Sequence, residues 1–217
     1  LINKNRPLAY LITDRSKLPQ TVDKSNLCAL ESLIERAFSA GIDMAQIRER
    51  DLSTKELFHL ARRSVEAARR HGGSLLINDR ADVAASLGAG VHLTTRSMKA
   101  DCVRKAFGRE MLVGASTHSL KEALEAQREG ADFIVFGPVF ETGSKKIYGP
   151  PVGLDALAQV ASLLTIPVLA LGGIDLHNFK SALDRRAAGI AAISLFAEAQ
   201  DLSSLVREIR NYKSKDE

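Results

Sequence analysis

Residues 74–80 read SLLINDR: a short, continuously apolar run that breaks straight into Asn78, Asp79 and Arg80. A strand with one wet face alternates apolar and polar side chains, so a run this uniform is read as a strand buried on both faces, as in a parallel sheet covered by helices. The same pattern recurs along the chain. Candidate strands lie at 8–12 (LAYLI), 42–47 (IDMAQI), 74–77 (SLLI), 90–93 (GVHL), 111–115 (MLVGA), 133–136 (FIVF), 167–171 (PVLAL) and 190–195 (IAAISL). Helix-period segments separate them. The segment 26–40 sets Leu27, Leu30, Ile34, Ala37 and Phe38 on one face, and 54–71 and 120–129 repeat the three-to-four spacing. Ser53 with Glu56 and Ser119 with Glu122 match the capping-box pattern. Gly41 and Gly130 stand where a helix would end on a left-handed residue.

Eight such units in 217 residues leave roughly 27 residues each, which suits a (β/α)8 TIM barrel of the α/β class. The alternative is an open doubly wound sheet, which would gather its chemistry at one switch point. Here polar or glycine-rich residues follow all eight runs: Thr13-Asp14, Gln46-x-Arg48-x-Arg50, Asn78-Asp79, Thr94-Thr95, Ser116-x-His118, Gly137 to Lys145, Gly172-Gly173 and Ser194. That distribution favours the barrel, in which every strand end opens on one mouth. The expected organisation is a single domain over 1–217 with its core at about 8–210 and a solvated tail at 211–217.

Composition narrows the function classes. The chain is 45% apolar and 26% charged, with a net charge of only +4, no Trp and 5% aromatic residues. This is ordinary globular composition, not that of a disordered chain or a disulfide-stapled mini-protein. A small, dispersed charge and few stacking rings argue against a nucleic-acid partner. Cys28 and Cys102 form no CxxC pair and have no nearby His at metal spacing, so they read as small buried or half-buried apolar residues in a reducing compartment. The segment LINKNRPLAYLITD has no signal-peptide character, and no apolar run reaches the roughly 18 residues that span a membrane. A soluble cytoplasmic protein is expected.

The strand ends carry the chemistry. Gln46, Arg48 and Arg50, two apart, would project to one side and present guanidiniums to an anion, unless Glu49 and Asp51 neutralise the arginines. Asn78-Asp79 reads either as an N-cap pair or as a carboxylate for Mg²⁺ beside a phosphate. Gly172-Gly173-Ile174 and Ser194 follow the seventh and eighth strands, where barrels of this class often hold a phosphate on backbone N–H groups. The stretch 137–146, with hydroxyls and Lys145 and Lys146, reads as a lid over an anion or as a solvated loop. His118, beside Ser116 and Thr117, reads as a proton shuttle or a structural ring. His92, inside VHL, reads as a core histidine with satisfied nitrogens, and His59, His71 and His177 as structural. Two phosphate-class sites across one mouth suit an enzyme that joins or discriminates two phosphorylated small molecules.

The motifs YLITD (10–14), QIRER (46–50), LLINDR (75–80), GVHL (90–93), GASTHSLKE (114–122), ADFIVFGPVF (131–140), T-x-S-K (142–145), PVLALGGI (167–174) and AAIS (191–194), in this order, resemble the thiamin phosphate synthase and thiazole tautomerase superfamily over about residues 8 to 200. The resemblance implies a (β/α)8 barrel that joins hydroxymethylpyrimidine diphosphate to hydroxyethylthiazole phosphate with Mg²⁺ and releases diphosphate. It implies Gln46 and Ser116 at the pyrimidine, Arg48, Asn78 and Lys145 on the diphosphate with Arg50 in place of a usual Lys, and Asp79 on Mg²⁺. It further implies Thr142 and Ser144 at the thiazole phosphate, with backbone N–H groups around Gly172, Gly173, Ile193 and Ser194.

Three positions depart from the synthase pattern. Thr94-Thr95-Arg96-Ser97 replaces a stretch ending in a second metal carboxylate, which puts Ser97 at its place and raises Arg96 as a substitute positive charge. Glu141 replaces Pro, and Arg50 replaces Lys. The last two resemble the tautomerase branch, in which His118 would move the proton of a carboxythiazole phosphate. The intact Gln46, Arg48, Asn78, Asp79 and Lys145 set favours the synthase, with the tautomerase as alternative. A silent barrel that binds thiazole phosphate as a regulator is a third reading. The oligomeric state is left open.

Overall fold

Both faces of the strands are apolar because both are covered. The computed structural model describes residues 6–19, 26–142 and 150–214. Among these, β1 (Leu8–Ile12), β2 (Met44–Ile47), β3 (Ser74–Asn78), β4 (Gly90–Leu93), β5 (Val113–Thr117), β6 (Phe133–Phe136), β7 (Val168–Leu171) and β8 (Gly189–Ala192) pair in parallel in chain order. The pairing of β1 with β8 closes the barrel. The helices α1 (Leu27–Ser39), α2 (Thr54–His71), α3 (Ala81–Leu87), α4 (Ala100–Phe107), α5 (Leu120–Arg128), α6 (Gly153–Leu163), α7 (Phe179–Leu183), α8 (Ser194–Ala197) and α9 (Leu202–Asn211) lie in the connections and after β8. This is the expected (β/α)8 TIM barrel, with no edge left unpaired.

Strand alternation divides the core in two. Leu8, Tyr10, Ile12, Met44, Leu76, Phe133, Val135, Leu169 and Ala191 form one buried cluster inside the barrel. The intervening residues, among them Ala9, Leu11, Ala45 and Ile77, pack outward under the helices with Leu30, Ile34 and Phe38 of α1. Gly114 has a specific task in the interior, since a Cβ there would stand 2.3 Å from the Phe133 ring. Its missing side chain lets that ring fill the barrel beneath the mouth.

The helix ends follow the local signals. Ser53 and Glu56 form a complete capping box on α2, and Gly41 and Gly130 adopt φ of +92° and +96° beyond α1 and α5. At α5 only half the box forms. Ser119 accepts from the Glu122 N–H, but the Glu122 carboxylate accepts instead from the His118 N–H at 2.6 Å.

Several boundaries differ from the sequence reading. β2 begins at Met44 rather than residue 42, and β5 runs 113–117 rather than 111–115. β8 ends at Ala192, because Ile193 takes helical dihedrals (φ −98°, ψ −77°) and α8 starts at Ser194. Cys28 and Cys102 are exposed on their helices, not buried. The tail is tied down at Tyr212, whose hydroxyl donates to Asp184 at 2.8 Å while its ring meets Phe179. No helix among the described residues is long and apolar enough to cross a membrane.

Candidate active site

The C-terminal strand ends form one mouth, and the polar residues read from the sequence collect there in two groups. On β2 to β5 the last inward positions before the mouth are polar, while on β1 Ile12 holds that position and the polar Tyr10 lies one inward step deeper. Gln46, Asn78, His92 and Ser116 stand there in place of the apolar residues found deeper in the barrel, and with Tyr10 beneath them they are joined by hydrogen bonds. The Asn78 amide nitrogen donates to Asp79 at 2.9 Å, and the Gln46 amide nitrogen donates to Asn78 Oδ1 at 2.9 Å. The Tyr10 hydroxyl donates to Gln46 Oε1 at 3.2 Å and lies 3.1 Å from His92 Nδ1. His92 Nε2 lies 2.8 Å from Ser116 Oγ. The line thus crosses five strands, from a hydroxyl on β5 to a carboxylate just past β3.

Burial sets the electrostatics of this line. His92 is 1% exposed, and burial first, with the positive charge of Arg48 second, pushes its pKa down to about 3. The ring is therefore neutral. Burial likewise pushes the Tyr10 phenol well above its ordinary value. The Tyr10, His92 and Phe133 rings pack at centroid distances of 5.6 to 6.1 Å, which closes the floor of the mouth.

Asp79 sits at φ +60°, a left-handed conformation unusual for a residue with a Cβ. Its N–H donates to the His92 carbonyl at 3.0 Å, and its other carboxylate oxygen accepts from the Ser97 hydroxyl. The N-cap reading of Asn78-Asp79 is overturned. The cap of α3 is Arg80, which makes no side-chain cap bond and instead pairs with Asp82 at 2.7 Å. Ser97 thus touches the one carboxylate read as a magnesium ligand, held there by the Thr94 N–H at 2.6 Å.

Neutralisation of the arginines by Glu49 and Asp51 is also overturned. Glu49 turns back to accept from the Thr13 hydroxyl at 2.7 Å and from the Arg15 guanidinium at 3.1 Å, and Asp51 also pairs with Arg15. This clamp ties the β1 loop to the β2 loop. The strand itself stops at Ile47, so the two-residue period does not extend to Arg50, which lies exposed in the following turn. Arg48 is half-buried, and its N–H donates to Thr13 Oγ1 at 3.0 Å.

His118, just past β5, lies with its Nδ1 against the Gly137 carbonyl oxygen. A carbonyl only accepts, so Nδ1 carries a hydrogen and donates to it.

The β6 to β8 side is built from main chain. Gly172 and Gly173 follow β7 at φ +97° and +64°. A Cβ on Gly173 would stand 2.2 Å from the Glu141 carbonyl oxygen. The Gly172 carbonyl accepts from the Phe140 N–H at 3.0 Å, and the Gly173 carbonyl accepts from the Asn178 amide at 2.8 Å. These glycines therefore let the loop after β6 lie directly on the turn after β7, a packing role beyond the anion cradle read from the sequence. Ile193 and Ser194 lead into α8, whose first N–H groups have no intrahelical acceptor. Thr142 is half-buried at the rim. Ser144, Lys145 and Lys146, and with them any closure of the 137–149 loop, lie outside the described residues.

Tyr10 escaped the sequence reading of the site, and His92 was assigned only to the core. The signal available was parity: both stand an even number of residues from the inward positions of their own strands, as Gln46, Asn78 and Ser116 do. Among the described residues no three His, Cys, Asp or Glu side chains assemble as a metal cage. One carboxylate beside a phosphate-bearing ligand nonetheless suits Mg²⁺, which ordinarily takes only one or two protein carboxylates there.

The sequence profile described as thiamine monophosphate synthase matches residues 9–196. A thiamine-phosphate synthase of Clostridium novyi is 37% identical over 203 residues, covering 93% of this chain and 96% of that one. A putative thiamine-phosphate synthase of Geobacter sulfurreducens is 44% identical over 186 residues, with 85% and 84% covered. Among solved structures, a thiamine phosphate pyrophosphorylase from Pyrococcus furiosus superposes with a TM-score of 0.80 at 29% identity, covering 95% of each chain.

Proposed function

Because the chain belongs to the thiamine monophosphate synthase family, we propose that it joins hydroxymethylpyrimidine diphosphate to hydroxyethylthiazole phosphate. The bond between the pyrimidine methylene and the diphosphate oxygen breaks, with its electron pair leaving on the diphosphate. The thiazole nitrogen then donates its pair to the methylene carbon, giving thiamin phosphate. The main catalytic task is to disperse charge on the departing diphosphate.

The observation that carries this reading is the unbroken hydrogen-bonded line from Ser116 through Gln46 to Asn78 and Asp79, with Arg48 beside it. In this reading Gln46 and Ser116 meet the pyrimidine. Arg48 and Asn78 hold the diphosphate, and Arg50 and Lys145 add positive charge. Thr142 and Ser144, with N–H groups of Gly173, Ile193 and Ser194, hold the thiazole phosphate against Gly172. Asp79 would hold Mg²⁺ with the diphosphate, and the bound ion would neutralise charge on the leaving group. Two exposed free thiols, Cys28 and Cys102, agree with a reducing, cytoplasmic setting.

The test is to incubate the protein with both substrates, with and without Mg²⁺. Thiamin phosphate forming only with both substrates and the ion supports the reading, and no product with all three present overturns it. The position of His118 just past β5, its ring held by the Gly137 carbonyl, favours a second reading, isomerisation of a carboxythiazole phosphate by proton transfer. Loss of that isomerisation in His118→Ala supports it, and an unchanged rate removes His118 as the shuttle.

A further inference from the structure

We propose that Tyr10 and His92 are positioning residues that commit the Ser116 hydroxyl to donate into the barrel, so that Ser116 meets the mouth only as a hydrogen-bond acceptor. A ligand N–H, such as an exocyclic amino group on a pyrimidine, is what that arrangement selects. The identity of the ligand rests on the synthase reading; the direction of the hydrogen bonds does not.

The direction follows from counting hydrogens along the line. A carboxylate accepts and cannot donate, so Asn78 must turn its NH₂ toward Asp79 at 2.9 Å. That leaves Asn78 Oδ1 facing Gln46, which must then present its own nitrogen at 2.9 Å. Gln46 Oε1 consequently faces Tyr10, and the single phenolic hydrogen goes to it at 3.2 Å. With that hydrogen used, the Tyr10 oxygen can only accept from His92 Nδ1 at 3.1 Å. A neutral imidazole carries one N–H, so Nε2 is bare and accepts from Ser116 at 2.8 Å. Reversing any link would set two acceptors face to face between buried groups, where an unpaired polar atom is most costly. Ser116 is half-buried at the last inward position of β5, so its lone pairs remain for a ligand. The Ser97 hydroxyl on the far oxygen of Asp79 completes the anchor.

Nitrogen NMR on the ligand-free full chain tests the direction. His92 carrying its hydrogen on Nδ1 with Nε2 bare is expected; a hydrogen on Nε2, or a mixture of the two forms, overturns the proposal. Calorimetry tests the consequence, comparing the aminopyrimidine diphosphate with its analogue bearing oxygen in place of the amino group. The folded protein is expected to prefer the amino compound by at least 100-fold, because a site built around a substrate N–H rejects a ligand that lacks it. Tyr10→Phe should mix the His92 forms and cut that preference about tenfold while leaving the affinity for thiazole phosphate within twofold. Full preference retained in Tyr10→Phe overturns the proposal. Should Tyr10→Phe fail to fold, the spectrum of the unaltered chain still decides. A protein with the expected His92 form and amino preference but no thiamin phosphate production would sink the synthase reading and leave this inference standing.

Discussion

At the ends of β1 to β5 the mouth is lined by side chains linked one to the next; at the ends of β6 to β8 it is lined by main chain. Ser116, His92, Tyr10, Gln46, Asn78 and Asp79 each depend on the neighbour for orientation, so the first half is specific about donors, acceptors and charge. Gly172 and Gly173 contribute no side chains, and the loop over them closes to distances that a Cβ would forbid. The second half is thus specific about shape and backbone dihedrals. A barrel of eight similar units can carry two recognition chemistries, because each strand end can be furnished without disturbing the others.

The largest expected separation of the two halves comes from Arg48→Ala. Removing a fixed positive charge where the leaving group gathers charge should lower kcat by about 10²–10³, with the KM for thiazole phosphate unchanged. A steady-state assay that shows both parameters moving together would mean the halves are not separable. Next in size is Gly173→Ala. A left-handed residue with its Cβ 2.2 Å from the Glu141 carbonyl should cost about 1–3 kcal/mol in urea unfolding and raise the KM for thiazole phosphate. Unaltered stability would refute the tight apposition of the two loops.

The third prediction concerns His92. Its folded pKa of about 3 lies below the ordinary 6.5, so between those values the unfolded chain takes up a proton that the folded ring refuses. Stability from this group is full above 6.5 and is lost as pH falls toward 3, by at most about 1.4 kcal/mol per pH unit. His92→Gln should flatten the acid limb of a stability-versus-pH curve, and an unchanged slope would show that another group governs it. The smallest effect belongs to Ser97→Asp. A carboxylate set beside Asp79 should tighten Mg²⁺ binding about tenfold by calorimetry, in line with the ion's preference for one or two carboxylates. An identical titration would place the ion away from Ser97.

Legibility in the sequence followed the same division. The bounds of β1, β4 and β6 match the apolar runs LAYLI, GVHL and FIVF, since strands buried on both faces leave an unbroken signal. β5 slips by two residues because Met111 and Leu112 are apolar for another reason, packing at the entry to the strand. Gln46, Asn78, Asp79 and Ser116 were legible as strand-end chemistry. His92 looked like core and is core, yet it also holds Ser116. Glu49 looked like a partner for its neighbouring arginines, but it binds Thr13 and Arg15, which lie in the loop after β1, the strand paired with β2.

The sequence by itself determined the barrel, the end of it at which chemistry collects, and the residue types available there, because the burial of every strand and the capping of several helices are written in local pattern. Only the tertiary structure decided which of those residues touch. Tyr10, Gln46, Asn78, His92 and Ser116 come from five strands, and their hydrogen-bond order depends on the stagger between strands that barrel closure imposes. That stagger is a property of the closed ring, and no single segment of the chain encodes it.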